Sequence, residues 1–151
     1  MDNICVFAAP HKVLLSWCED EADKQYEMCR KCLQVLENST DATGERIEVI
    51  KLPMPKPVYM TEDEVEGLDY CFGEPTRNVA ERLSASYVNL YIGNKTVVMP
   101  AFGGENEDAD KRAAEIVKSV FPEKEVISVY ARDILIGGGN IHCITHQIPE
   151  F

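Results

Sequence analysis

Three consecutive glycines, Gly137, Gly138 and Gly139, lead through Asn140, Ile141 and His142 to Cys143. A thiol in this setting is the side chain whose type and surroundings best suit covalent chemistry. Glycine has no Cβ, so the stretch can turn sharply and let a flat ligand lie against the main chain. A small substrate could then reach Cys143, which becomes a nucleophile where a base or a positive field holds it as the thiolate. The same residues also suit a glycine turn into an edge strand whose cysteine merely packs. Free cysteine is among the most often buried residue types, and on that ground Cys143 is expected inside.

The remaining chemistry-bearing residues are less suggestive. Six cysteines stand at positions 5, 18, 29, 32, 71 and 143. An even count would point to disulfides in a short secreted chain. Here most fall in apolar periodic segments and the start shows no secretory pattern, so reduced thiols in the cytoplasm are expected. Cys29-Arg30-Lys31-Cys32 resembles a redox or metal pair, but it stands alone and mid-helix by pattern. No His/Cys/Asp/Glu cluster has ligand spacing, so neither metal nor cofactor is expected. Trp17 reads as core, Tyr87 and Asn89 as structural, and Asp20 and Asp23 as acids at a helix start. The net charge of −11 disfavours nucleic acid and anionic membrane and would draw small cations to a cleft. Acids in first helical turns account for much of that excess.

These residues need a scaffold, and 151 residues at 45% hydrophobic composition suit one domain with a real core. Ile4 to Phe7 and Val13 to Trp17 read as strands of a hairpin turning at Pro10. Ala22, Tyr26, Cys29, Leu33 and Leu36 then recur at helical spacing, and Arg46 to Leu52 is a further strand. The order returns with strands at Val88 to Ile92 and Val97 to Ala101, a helix face at Ala109, Ala113, Ile116, Val117 and Val120, and a strand at Val126 to Tyr130. Ile4 falls on Val88 and Val13 on Val97, a repeat offset by 84 residues. Repeated units of this kind bury their apolar faces on their neighbours. The chain therefore divides into repeats at about 1–52 and 85–151, joined by an excursion at 53–84 whose Pro53, Pro55 and Pro57 preclude regular structure. Asp133 to Ile136 is expected as a short strand, and Ile141 to Ile148 as an extended one.

The residues of the glycine–cysteine stretch, Gly137-Gly-Gly-Asn-Ile-His-Cys-Ile-Thr-His-Gln-Ile-Pro149, with Ala85-Ser-Tyr-Val-Asn-Leu-Tyr91 and Leu52-Pro-Met-Pro55, strongly resemble the C-terminal part of agmatine deiminases. That family belongs to the guanidine-modifying superfamily with the five-bladed α/β-propeller, or pentein, fold, and its near relatives are the bacterial peptidylarginine deiminases. The resemblance covers the whole chain. It implies an α/β partial propeller of about two ββαβ blades plus a C-terminal catalytic strand.

The resemblance further implies that Cys143 attacks the guanidinium carbon of agmatine, that ammonia departs, and that water releases N-carbamoylputrescine, a step of putrescine synthesis. Gly137, Gly138 and Gly139 would form the wall against which the substrate rests. Asp2 matches the aspartate of the family's Gly-His-x-Asp motif, which grips the guanidinium, and Met1 stands at the x. The histidine of that motif would fall before Met1. His142 and His146 would have the wrong parity on an extended strand, and His11 would sit at a hairpin tip. The chain alone is therefore expected to lack its acid–base and to be inactive or nearly so. The expected ligand is a small cationic guanidine, with no nucleic acid or membrane partner. A homo-oligomer or a complementary N-terminal chain is expected to complete the site. Two other readings stay open: a non-catalytic remnant binding a partner through its open propeller edge, and a peptidylarginine deiminase.

Overall fold

The computed structural model describes residues 3–73 and 76–148. Asp2 lies outside these residues, as does Pro149. Strand β1 (Cys5–Ala9) pairs antiparallel with β2 (Lys12–Trp17). His11 at the hairpin tip adopts a left-handed φ of 62° and meets the carboxylate of Asp41 through its Nδ1. Strand β3 (Glu48–Pro53) then pairs parallel with β2. A parallel neighbour requires a crossover, and helix α1 (Lys24–Glu37) supplies it. The helix starts where it does because Asp23, in extended conformation, accepts from Gln25 N at 2.9 Å, satisfying one of the donors a helix start leaves open.

The second unit repeats this plan. Strand β4 (Tyr91–Ile92) runs antiparallel to β5 (Thr96–Ala101), α3 (Glu107–Val120) crosses over, and β6 (Glu125–Tyr130) lies parallel to β5. Both sheets are three-stranded with the same order and directions. Glu107, Asp108 and Asp110 occupy the first turn of α3, as their charge requires. Among the described residues no helix is long and apolar enough to cross a membrane.

One core joins the two units. Val13, Leu14 and Leu15 of β2 are almost fully buried along consecutive positions, the pattern of a strand covered on both faces. Leu14 and Leu52 share a cluster with Tyr87, Leu90, Val97 and Val117. The Tyr87 hydroxyl donates to Asp110 at 2.6 Å, and that carboxylate also accepts from the backbone of Phe102 and Gly103. Burial pushes the Tyr87 phenol up, and the hydrogen bond to Asp110 adds to the rise.

The excursion between the units, expected without regular structure around its prolines, contains a short helix beyond them. Helix α2 (Glu62–Glu66) opens on a capping box in which the Thr61 hydroxyl accepts from Glu64 N and the Glu64 carboxylate accepts from Thr61 N. The expected strand at Val88 to Ile92 is cut to Tyr91–Ile92, because Val88, Asn89 and Leu90 run buried through the core without a ladder. The expected strand at Asp133 to Ile136 is a helix instead, α4 (Arg132–Ile136), ended by Gly137. One turn suffices to bury Leu135, and Arg132 anchors it by pairing with Glu64 and donating to Tyr59 O.

Candidate functional site

Cys143 does not sit on a strand. His142–Ile144 forms a 3-10 turn, and the cause is Asn89. His142 N donates to the Asn89 side-chain oxygen at 2.8 Å and approaches its backbone oxygen at 3.4 Å. Thr145 closes the turn by donating to His142 O through its backbone and its hydroxyl. The parity that set His142 and His146 aside thus has no strand to act on. The turn also lifts Cys143 out, so the thiol is exposed rather than packed. His142 and His146 are exposed as well.

Asn89 also defines the surroundings of the sulfur. Its amide nitrogen donates to Cys143 Sγ at 3.2 Å and to Asn3 Oδ1 at 3.0 Å, while its side-chain oxygen lies 3.7 Å from the sulfur. The side chain is completely buried, and a buried amide requires such partners. Ser86 holds the same segment by donating its hydroxyl to Asn3 O at 2.9 Å, with the Ser16 hydroxyl 3.3 Å away. One amide therefore links Cys143, 54 positions ahead of it, to Asn3, the residue that follows Asp2, 86 positions behind it. By its apolar neighbours Asn89 reads as structural, yet it touches the thiol directly. Its signal was a lone amide between Val88 and Leu90 in an apolar segment.

Each glycine has its own reason for lacking a side chain. A Cβ on Gly139 would lie 2.8 Å from Cys143 Cβ and 3.5 Å from Sγ, so the cysteine itself occupies that space. Gly138 adopts φ +98°, the left-handed region that favours glycine, and a Cβ there would lie 2.8 Å from Arg77 Nη2. Gly137 ends α4. Gly137 and Gly138 also border a hollow of about 560 Å³ shared with Leu68, Tyr70, Arg77 and Glu81. The Arg77 guanidinium pairs there with Glu81, and its backbone N–H donates to the Tyr70 hydroxyl at 3.0 Å. The glycine stretch thus presents Cys143 on one flank and a charged hollow on the other. Arg77 holds the Glu81 carboxyl below its usual range. The half-buried thiol of Cys5 and the buried thiols of Cys18 and Cys29 differ from Cys143 in setting: desolvation pushes all three up.

A family profile described as Porphyromonas-type peptidyl-arginine deiminase matches residues 1–149. The chain belongs to that family. An agmatine deiminase of Pseudomonas fluorescens is 44% identical over 149 residues, covering 99% of this chain and 40% of its own length. Among solved structures, the agmatine deiminase of Enterococcus faecalis superposes with a TM-score of 0.86 at 35% identity, covering 99% of this chain and 40% of that one. An agmatine deiminase of C. jejuni superposes at 0.68 with 25% identity, over 94% of this chain and 36% of its own. The chain thus spans about 40% of the length of these relatives. As a member of the peptidyl-arginine deiminase family it has the α/β fold of agmatine deiminases.

Proposed function

We propose that this chain is the nucleophile-bearing part of a hydrolase acting on linear amidines, with agmatine as the substrate and N-carbamoylputrescine and ammonia as the products. The observation that carries the reading is the setting of Cys143: an exposed thiol on a tight turn, fixed by Asn89 and set against Gly139. A guanidinium carbon is a poor electrophile, so the reaction needs an intrinsically strong nucleophile. It also needs carboxylates that pair with the planar cation, and an acid for the departing amine. Cys143 Sγ bonds to the carbon, the C–N bond breaks, and ammonia leaves with the proton. Water then adds to the amidino thioester and the C–S bond breaks, restoring the thiol. Asp2 would grip the guanidinium, which is consistent with the position of its neighbour Asn3 one amide away from Cys143. Gly137 and Gly138 would line the approach beside the hollow, and Gly139 would seat the nucleophile. In this reading the two three-stranded units are blades of a propeller whose remaining blades supply the other carboxylates.

The test uses a cationic haloamidine. Chloroacetamidine is expected to alkylate Cys143 well ahead of Cys71, the other exposed cysteine, whereas neutral chloroacetamide should show little preference. Equal labelling of the two cysteines by the amidine would sink the proposal. Agmatine turnover by the chain alone is expected near background, because the chain spans about 40% of the length of the agmatine deiminases it matches and this reading assigns further guanidinium-pairing carboxylates to the remainder. The family description itself favours a second reading, in which the substrate is a peptidyl arginine. Protection of Cys143 from the amidine by an arginyl peptide but not by agmatine would decide for it.

A further inference from the structure

The Cys29-Arg30-Lys31-Cys32 pair plays no part in the amidine chemistry, yet the fold surrounds it with sulfur. Cys29 and Cys32 stand one turn apart on α1 and line a small cavity of about 30 Å³ together with Met28 and Met54. Cys29 is buried, and its Sγ lies 4.0 Å from Met54 Sδ at the end of β3. Met28 is 46% exposed and gives the cavity a route to solvent. The other walls include polar side chains, Asn3, Ser16 and Gln25, so the void is not an ordinary apolar packing defect. Among the described residues no three His, Cys, Asp or Glu side chains are grouped to hold a metal. Thioethers fall outside that set of donors, and they are ligands for soft metals alone.

We propose that Met28, Cys29, Cys32 and Met54 form a binding site for a soft monovalent metal, Cu(I). Thiolate and thioether sulfur together select Cu(I) over zinc, magnesium or calcium. Cu(I) accepts two or three such ligands, so the two thiols and Met54 complete its coordination with Met28 at the rim, whereas zinc, which does not take thioether sulfur, would have only two of its four donors. On binding, Cys29 and Cys32 each release a proton to solvent as their S–Cu bonds form, and no electron is transferred. The net charge of −11 on the chain favours the approach of any cation.

The experiment uses the reduced chain with Cys71→Ser and Cys143→Ser, which removes the exposed thiols. Under anaerobic conditions it is titrated with Cu(I) in competition with bicinchoninate. One Cu(I) per chain is expected to be withdrawn from the chelator. Cys29→Ser and Met54→Leu are each expected to weaken binding by roughly tenfold or more, the scale on which even supporting residues affect metal sites. Met54→Leu conserves volume, so it tests the site even where the cysteine variant folds poorly. Parent-like affinity in Met54→Leu, failure to withdraw Cu(I), or equal affinity for Zn(II) would each overturn the proposal. So would a Cys29–Cys32 disulfide that forms in air at the same rate with and without Cu(I), since this would make the pair a redox couple.

Discussion

At the scale of single residues, the site depends on one amide and one missing methyl. Asn89→Ala would take the side-chain partner from Asn3 Oδ1 and from His142 N, leaving the latter its 3.4 Å approach to Asn89 O, and would take the donor from Cys143 Sγ. Asn3 and His142 are exposed, so each lost hydrogen bond costs only about 0.5–1.5 kcal/mol; a modestly lower urea midpoint is expected, together with loss of the amidine's preference for Cys143 over Cys71. Gly139→Ala would drive a methyl to within 2.8 Å of Cys143 Cβ. The displacement should cost about 1–3 kcal/mol and abolish the same preference. Gly138→Ala is the comparison. It strains the backbone by about 1–2 kcal/mol, yet its methyl meets the far end of Arg77 rather than the cysteine. It should therefore lower stability and, as part of the substrate approach, reduce the labelling preference less than Gly139→Ala does. A parent-like preference in Gly139→Ala would disconnect glycine from nucleophile. The association of glycines with a thiol was legible in the sequence because the two are adjacent. Asn89 was not, because its contact spans 54 positions, and a lone amide in an apolar run reads as a strand residue until its partners are known.

At the scale of elements, the sequence revealed those with a long period and concealed those held by tertiary contacts. Helices α1 and α3 each extend over 14 residues and their faces could be counted. Helix α4 has 5, and its Ile134, Leu135 and Ile136 favour a strand by propensity. The ion pair between Arg132 and Glu64 of α2 and the glycine stop override that preference. The Thr61-x-x-Glu64 signature of α2 was open to reading as a capping box. Such anchors predict a pH dependence. Arg132 holds the Glu64 carboxyl below its ordinary value, and Arg82 does the same for Asp23. Asp41 is held at about 2, chiefly by the Thr43 hydroxyl. A carboxylate whose folded pKa is depressed contributes stability above its unfolded pKa and loses it as pH falls through the folded one. The urea midpoint should therefore fall steadily from about pH 4.5 to about pH 2. Glu64→Gln should start lower at neutral pH and fall less steeply. An unchanged slope in that variant would show that α2 and α4 are not joined through this charge.

At the scale of the whole molecule, the repeat was legible because its most constrained part kept its spacing. Lys12 of β2 and Thr96 of β5 open their strands 84 residues apart, while the third strands, beginning at Glu48 and Glu125, are 77 apart. The difference lies in the connections, ten residues after α1 against four after α3 and six before α1 against five before α3, and surface loops absorb length changes that strands cannot. What the chain does with its outer surfaces depends on what covers them. Strand β6 is the outer strand of its sheet and leaves Ile127, Val129 and Tyr130 exposed, and Phe7 on the outer strand β1 is 55% exposed. An outer strand with apolar side chains is a template for pairing with another chain, and in a solution of this chain alone the available partner is a second copy. The mass from light scattering after size exclusion should exceed 17.0 kDa and rise with concentration. Val129→Lys, which places a charge on that strand as natural sheets do to prevent pairing, should return the mass towards the monomer without altering the Cys143 labelling preference. A monomer at every concentration would mean that the exposed apolar residues of β6 are tolerated singly, as scattered surface residues are, and that the sheet edge recruits nothing.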